Sequence, residues 1–121
     1  MGRDPAFEEE FLGLVERMAV VQGGASAPPV THFLRLVRDR LDLGDRLYGQ
    51  RFLERDGMAE ALEEPCDAVA WSLLELQRRR AAGENGDGWD EARMELVAAA
   101  VLMARGDQAM RRAQRILDGG G

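Results

Sequence analysis

Apolar residues recur at intervals of three and four along nearly every segment of this sequence, which is the spacing of one face of an α-helix. The pattern near the N-terminus is Phe7, Phe11, Leu14, Met18 and Val21. No run keeps the two-residue alternation of a β-strand for long. The sequence therefore predicts an all-α protein, a four- to five-helix bundle forming one helical domain over residues 1–121, completed by oligomerisation.

Glycine, proline and capping residues predict where these helices begin and end. Asp4 stands before Pro5 as the cap of the first helix, and the glycines and prolines of 23–29 form a loop after it. Asp87 or Asp90 can cap the fourth helix. A break at Gly106 separates a short fifth helix. The predicted helices are 5–22, 30–48, 58–82, 89–105 and 107–118.

The predicted second helix carries two apolar stripes. One contains Val30, Phe33, Leu34, Val37, Leu41, Gly44 and Tyr48, and the other contains Leu36, Leu43 and Leu47. The stripes lie a quarter-turn or more apart, so each requires its own neighbour. We therefore expect this helix inside a bundle or at a subunit interface, and the protein as a homo-oligomer, either a dimer or a tetramer.

The charge of the chain excludes some classes of partner. A net charge of −6 repels nucleic acid and anionic membranes. The N-terminus is acidic and has no hydrophobic signal region, so we expect a cytoplasmic protein that contacts neither membrane nor nucleic acid. The single cysteine, Cys66, excludes an intramolecular disulfide and is expected to be buried.

The stretch "AEALEEPCDAVAW", residues 59–71, contains the most informative polar residues. On a helical wheel, Glu60, Glu64 and Asp67 fall on one side at steps of four and three. From Val69 onward the helix is apolar on almost every side. We therefore expect Asp67 where water is excluded, beside a cation, a hydrogen-bond donor or a metal ion.

Two interpretations of these acids remain open at the level of sequence. Mg²⁺ prefers oxygen ligands and often takes one or two carboxylates together with substrate phosphates, which suits acids one helical turn apart. Alternatively, the helix begins at Pro65, which is unfavourable in a helix interior. Asp67 then stabilises the helix N-terminus, and Glu60 to Glu64 form a solvated preceding turn.

The stretch "LGDRLYGQRFLERDGMAEALEEPCDAVAWSLLEL" resembles the all-α nucleoside triphosphate pyrophosphatases, the MazG-like group with its phage relatives. In that group one helix carries an ExxD motif and an earlier helix carries ExxE. The resemblance covers roughly residues 36–77, and Glu64 and Asp67 match the ends of ExxD. The chain departs from the pattern in two ways: Pro65 lies inside the motif, and the earlier helix offers only Asp42 and Asp45 as DxxD.

The resemblance implies a Mg²⁺- or Mn²⁺-dependent enzyme that converts a nucleoside triphosphate to a monophosphate and pyrophosphate. The implied catalytic residues are Glu60, Glu64 and Asp67, and the implied metal ligands are Glu60, Glu63, Glu64 and Asp67 with Asp42 or Asp45. Arg46, Arg51 or Arg55 would neutralise phosphate charge. Trp71 or Tyr48 would stack on the base, unless each belongs to the core.

A second function class fits the same sequence. The chain is then a non-catalytic helical interaction or regulatory protein of phage or mobile-element origin. Its acids are surface groups, or ion-pair partners of Arg35, Arg38 and Arg46. A response to Mg²⁺ or Mn²⁺ separates the two hypotheses, since only the enzyme requires the ion.

Overall fold

The computed structural model describes residues 3–21, 27–49, 56–84 and 86–119. Within these ranges the chain forms four helices and no strand, which confirms the predicted all-α class. The helices are α1 (Pro5–Val21), α2 (Ala27–Tyr48), α3 (Gly57–Ala81) and α4 (Trp89–Leu117). None of the described helices is long and apolar enough to cross a membrane.

The contacts divide the chain into two compact units, Met1–Arg55 and Asp56–Gly121. The first contains the α1–α2 hairpin and the second contains the α3–α4 hairpin. The single domain over residues 1–121 stays a prediction.

In the first unit, α1 and α2 are antiparallel and are joined by ion pairs. Asp4 caps α1 as predicted, because its carboxylate accepts a hydrogen bond from the Phe7 amide at 3.1 Å. The start of α1 faces the later part of α2: Arg38 pairs with Glu9 at 2.8 Å. Arg3, which precedes α1, pairs with Asp42 near the end of α2 at 2.8 Å. This pair fits the same antiparallel arrangement.

The core of this hairpin is small and uses a different face of α1 from the one predicted. Leu12, Val30 and Leu34 are buried, and Val15, Ala19, Val20 and Val37 pack against them. The stripe Phe7, Phe11, Leu14, Met18 and Val21 is exposed instead. Both stripes have helical spacing, and the sequence favoured the more apolar one. Of the two stripes on α2, the one containing Val30 and Leu34 faces α1.

Helix α3 begins at Gly57, one residue before the predicted start at residue 58. Asp56 caps it by accepting a hydrogen bond from the Ala59 amide at 3.0 Å. Pro65 is then an interior residue and is buried. The hypothesis that the helix begins at Pro65 is therefore wrong. The cap and the burial of the ring offset the hydrogen bond that Pro65 cannot donate.

The prolines of α2 do not disturb the helix, because they lie in its first turn. The helix begins at Ala27, three residues before the predicted start at Val30. Pro28 and Pro29 lack amide hydrogens that would have no partner within the helix at this end. They therefore fit the helix, although the sequence placed them in a loop.

The turn between α3 and α4 is built on glycines with positive φ. Gly83 has φ +79, and the Gly83 and Glu84 amides donate to the carbonyls of Arg80 and Arg79, which is a Schellman ending. Gly88 is the N-cap of α4 and no side chain caps it, so the prediction that Asp87 or Asp90 caps this helix is wrong.

Helix α4 is continuous from Trp89 to Leu117, so the predicted break at Gly106 and the separate helix over 107–118 are wrong. One glycine costs a helix about 1 kcal/mol relative to alanine. The good helix formers on both sides of Gly106 offset that cost. Helices α3 and α4 lie side by side, and small and aliphatic residues of both line the groove between them, namely Ala68, Val69, Ser72 and Leu76 of α3 and Leu96, Ala99, Ala100 and Met103 of α4.

Candidate functional site

The unbroken helix α3 brings three of the predicted acids onto one line. Glu60, Glu64 and Asp67 follow one another at steps of four and three, and Trp71 continues the line one turn later. All four residues are exposed. Pro65 and Val69 lie on the opposite side of the helix and face α4. The acids therefore form a continuous outward edge of the α3–α4 hairpin.

The expectation that Asp67 lies where water is excluded is wrong. Asp67 is exposed, and the neighbouring Trp71 is 72% exposed. The sequence around them is apolar on almost every side, but only one side of α3 is covered by α4. Because water reaches Asp67, its carboxylate does not require a cation or a metal ion to offset burial.

Carboxylate oxygens are suitable ligands for Mg²⁺, but too few of these acids lie close together to form a complete metal site. Among the described residues, no three acidic, histidine or cysteine side chains come together in a group that could hold a metal ion. Glu60 lies in the first turn of α3, where negative charge complements the helix dipole. Glu63 and Glu64 are exposed on the following turn.

The acids of the earlier helix belong to the other unit. Asp42 and Asp45 are exposed residues of α2. Arg3 donates a hydrogen bond to the Asp42 carboxylate at 2.8 Å, so that charge is already paired. Asp45 is thus the better candidate ligand of the two. The role that the resemblance gives to both residues stays a prediction.

The residues predicted to bind substrate are accessible where the structure describes them. Arg46 lies exposed in the last turn of α2. Arg51 and Arg55 lie outside the described residues. Trp71 and Tyr48 are 72% and 42% exposed, so neither is a core residue. The alternative that placed these two rings in the core is wrong.

A polar pair that the sequence did not predict lies in the groove between α3 and α4. Asp107 begins the separate helix predicted over 107–118, but in the continuous α4 it accepts a hydrogen bond from Arg111, one turn later, at 2.9 Å. This hydrogen bond raises the pKa of Arg111. Cys66, expected to be buried, is exposed on the same groove, and its thiol contacts the Glu63 carbonyl at 3.2 Å.

The three arginines at the end of α3 are held by acids. Arg78, Arg79 and Arg80 lie in the last turn, where they complement the helix dipole. Hydrogen bonds from Arg78 and then Arg79 lower the pKa of Glu75 to about 2. Because two of the three guanidinium groups are engaged with Glu75, this turn is better described as a helix end than as a phosphate-binding patch.

Comparison with known proteins identifies no family for this chain. No family model matches the chain, and neither a curated protein nor a solved structure does.

Proposed function

We propose that the chain is a Mg²⁺- or Mn²⁺-dependent nucleoside triphosphate pyrophosphohydrolase of the MazG-like type, which releases a nucleoside monophosphate and pyrophosphate. The observation that carries the proposal is the line of Glu60, Glu64 and Asp67 on one exposed edge of an uninterrupted helix. A helix that began at Pro65 would have left Glu60 on a separate segment. The unbroken helix instead supports the motif that the resemblance rests on.

Carboxylate oxygens one turn apart suit this ion. Mg²⁺ is commonly held by one or two carboxylates together with substrate phosphates, so a full cage of protein ligands is not needed. Glu60, Glu64 and Asp67 would hold the ion, with Glu63 at the margin of the line. The ion would supply activation of a water molecule and neutralisation of phosphate charge.

Other residues would bind the nucleotide rather than react with it. Trp71 lies one turn beyond Asp67 and is 72% exposed, so its ring is free to stack on a base. The arginines that the resemblance assigns to the phosphates, Arg46, Arg51 and Arg55, keep that role as part of the proposal. Exposure of the whole edge supports access by a large, charged substrate.

The test is a panel of nucleoside and deoxynucleoside triphosphates with Mg²⁺ or Mn²⁺, with release of monophosphate and pyrophosphate as the measured products. Asp67→Asn removes one charge from the acidic line, and we expect it to reduce release by at least about a hundredfold. Asp87→Asn is the matched control, because Asp87 is an exposed aspartate outside the line. Equal activity in both variants would contradict the proposal.

A second candidate function is a non-catalytic helical interaction protein. The observation that favours it is the apolar surface: twenty large apolar side chains of the described residues are exposed, against three that are buried. Such a surface is typical of a protein that covers itself with a partner. No hydrolysis of any nucleotide, together with a thermal midpoint that is indifferent to Mg²⁺ and Mn²⁺, would support this function over the enzyme.

A further inference from the structure

The α3–α4 hairpin has one side on which small and apolar residues lie between arginines. On α4 this side follows residues at spacings of four, three, four and seven, namely Arg93, Val97, Ala100, Ala104 and Arg111. On α3 it follows residues at spacings of four, three, four and three, namely Cys66, Ala70, Leu73, Gln77 and Arg80. These spacings keep all members of a stripe on one side of their helix.

Two cavities show that both stripes lie on the same side of the hairpin. Leu73 and Val97 line a cavity of about 190 Å³. Cys66 and Ala104 line a second cavity of about 530 Å³. Met103 lines both cavities, so the two adjoin. The two stripes therefore border one groove along the hairpin, which we call the basic groove.

The basic groove has the length and lining to hold a third helix. Arg93 and Arg111 lie eighteen residues apart on α4, which is about five turns and about 27 Å. The groove residues between them are small or aliphatic except Asp107, which is paired with Arg111. Leu73 and Val97 are 54% and 48% exposed. Such a lining suits an amphipathic helix, which binds by laying its apolar side into a groove.

The charge of the basic groove differs from that of the rest of the hairpin. Residues 56–121 contain eight arginines and thirteen acidic residues. The two stripes, continued at helical spacing, carry four of the arginines but three of the acids, namely Arg80, Arg93, Arg111 and Arg115 with Asp90, Asp107 and Asp118. Four arginines and ten acids remain for the other sides. The basic groove is therefore the side of the hairpin that repels carboxylates least.

Two arginines of the basic groove are available to a partner. Arg80 lies in the last turn of α3, beside the turn to α4, and Arg115 lies at the opposite end of the hairpin. Neither forms an ion pair or a hydrogen bond with another described residue. The other two groove arginines are paired with aspartates of their own helix. Guanidinium groups without a partner thus lie at both ends of the groove.

We infer that the basic groove binds an amphipathic helix of another protein, whose apolar side covers Leu73 and Val97 and whose carboxylates reach the arginines at both ends. A fatty acid fits less well, because it has one charged end whereas the groove has arginines at two. The inference does not depend on the proposed hydrolase activity. The acids assigned to that activity, Glu60, Glu64 and Asp67, line neither cavity.

The only cysteine of the chain can report whether the basic groove is occupied. Cys66 is exposed and lines the groove, so its thiol reacts with a water-soluble aromatic disulfide when the groove is open. The probe is a synthetic peptide of about twenty residues, with leucine along one helical side and glutamate in its first and last turns. We expect saturating peptide to slow the reaction by at least about tenfold. A peptide with lysine in place of glutamate should bind at least about tenfold more weakly.

A relocated thiol distinguishes the basic groove from the rest of the surface. Cys66→Ser combined with Ala109→Cys moves the single thiol to the opposite side of α4, because Ala109 stands nine residues after Ala100. The acidic peptide should leave the reaction rate of this relocated thiol unchanged. Slowing of both thiols alike would mean that the peptide coats the surface, and this result would overturn the inference.

Charge reversal tests the two ends of the basic groove. Arg80→Glu combined with Arg115→Glu should weaken binding of the acidic peptide by at least about tenfold and strengthen binding of the lysine peptide. Arg105→Glu combined with Arg112→Glu is the matched control, because it makes the same change of charge on the outer side of α4. Val97→Asp should also weaken binding, and circular dichroism checks that each variant keeps its helix content.

Each alternative occupant gives a different result, and each would overturn the inference. Equal binding of both peptides, or protection of Cys66 by neither, would remove the role of the arginines. Protection by palmitate that equals protection by the acidic peptide would assign the groove to a lipid. Without peptide, protection that grows with the concentration of the chain would assign it to a second copy. Protection at every concentration would assign it to the same chain.

Discussion

The two hairpins are held together in different ways. In α1–α2, three residues are buried and the ion pairs of Arg3 with Asp42 and Arg38 with Glu9 connect the two helices. In α3–α4, Pro65 is the one described residue that is buried. Its described ion pairs all join residues within a helix or at its end.

This difference shows two ways of joining a pair of helices. The α1–α2 hairpin combines a small buried core with ion pairs between its helices. In the α3–α4 hairpin, small and aliphatic residues line the groove between the helices, and caps, a Schellman ending and pairs three or four residues apart stabilise each helix locally. The candidate catalytic edge lies on the α3–α4 hairpin.

The largest expected effect comes from the core of α1–α2. Leu34 is 1% exposed, so Leu34→Ala should lower the free energy of unfolding by about 3 kcal/mol. Leu76 of α3 is only partly buried, and Leu76→Ala should cost about 1 kcal/mol. Urea denaturation of both variants gives the comparison. A larger loss for Leu76→Ala than for Leu34→Ala would reverse the contrast between the hairpins.

The second effect has the opposite sign and tests α3. Pro65→Ala restores an amide hydrogen inside the helix, where proline costs about 3 kcal/mol, and loses part of the buried contact with α4. We expect a net gain of about 1–2 kcal/mol in the free energy of unfolding. Pro28→Ala is the matched control and should change little, since Pro28 lies in the first turn of α2. A loss of stability in Pro65→Ala would mean that packing of the ring outweighs the hydrogen bond.

The third effect concerns the caps and should be of similar size in both hairpins. Asp56→Ala removes the side-chain acceptor at the start of α3 and should cost about 1 kcal/mol. Asp4→Ala removes the equivalent acceptor at α1 and should cost a similar amount. Asp87→Ala should be neutral, because no side chain caps α4. Thermal unfolding followed by circular dichroism measures all three.

The sequence predicted the features that depend on local chemistry. The helix class, the Asp4 cap and the start of α3 within one residue of its predicted position all follow from residues close together in the chain. The predictions failed where the surrounding residues determine whether a helix continues. Gly106 was interpreted as a break, and a helix start at Pro65 was left open, because the intrinsic helix preferences of glycine and proline are unfavourable, but both residues lie inside continuous helices.

The sequence of α1 alone also could not predict which of its two apolar faces is buried. Two apolar stripes on α1 have the same spacing, and only the partner helix determines that Leu12 is buried while Phe11 is 60% exposed. The same reason explains Asp67, whose apolar neighbours suggested burial. The alignment of Glu60, Glu64 and Asp67 was predictable from spacing alone, because it requires only that α3 be continuous.

The smallest expected effect is the acid response of the end of α3. Hydrogen bonds from Arg78 and Arg79 lower the pKa of Glu75 from its ordinary value of 4.5 to about 2. A lowered folded-state pKa means that the contribution to stability is full above the unfolded value and is lost as pH falls from about 4.5 towards 2. Glu75 is exposed to solvent, so the loss should remain confined to the last turns of α3.

Glu9 gives the matched measurement on the other hairpin, because its hydrogen bond from Arg38 also lowers its pKa but joins two helices. Glu75→Gln should flatten the loss of helix content between pH 4.5 and pH 2 without changing the urea midpoint of α1–α2. Glu9→Gln should flatten the acid dependence of that midpoint instead. Identical pH profiles for the two variants would mean that local and tertiary ion pairs contribute alike, and that the contrast between the hairpins rests on the buried core alone.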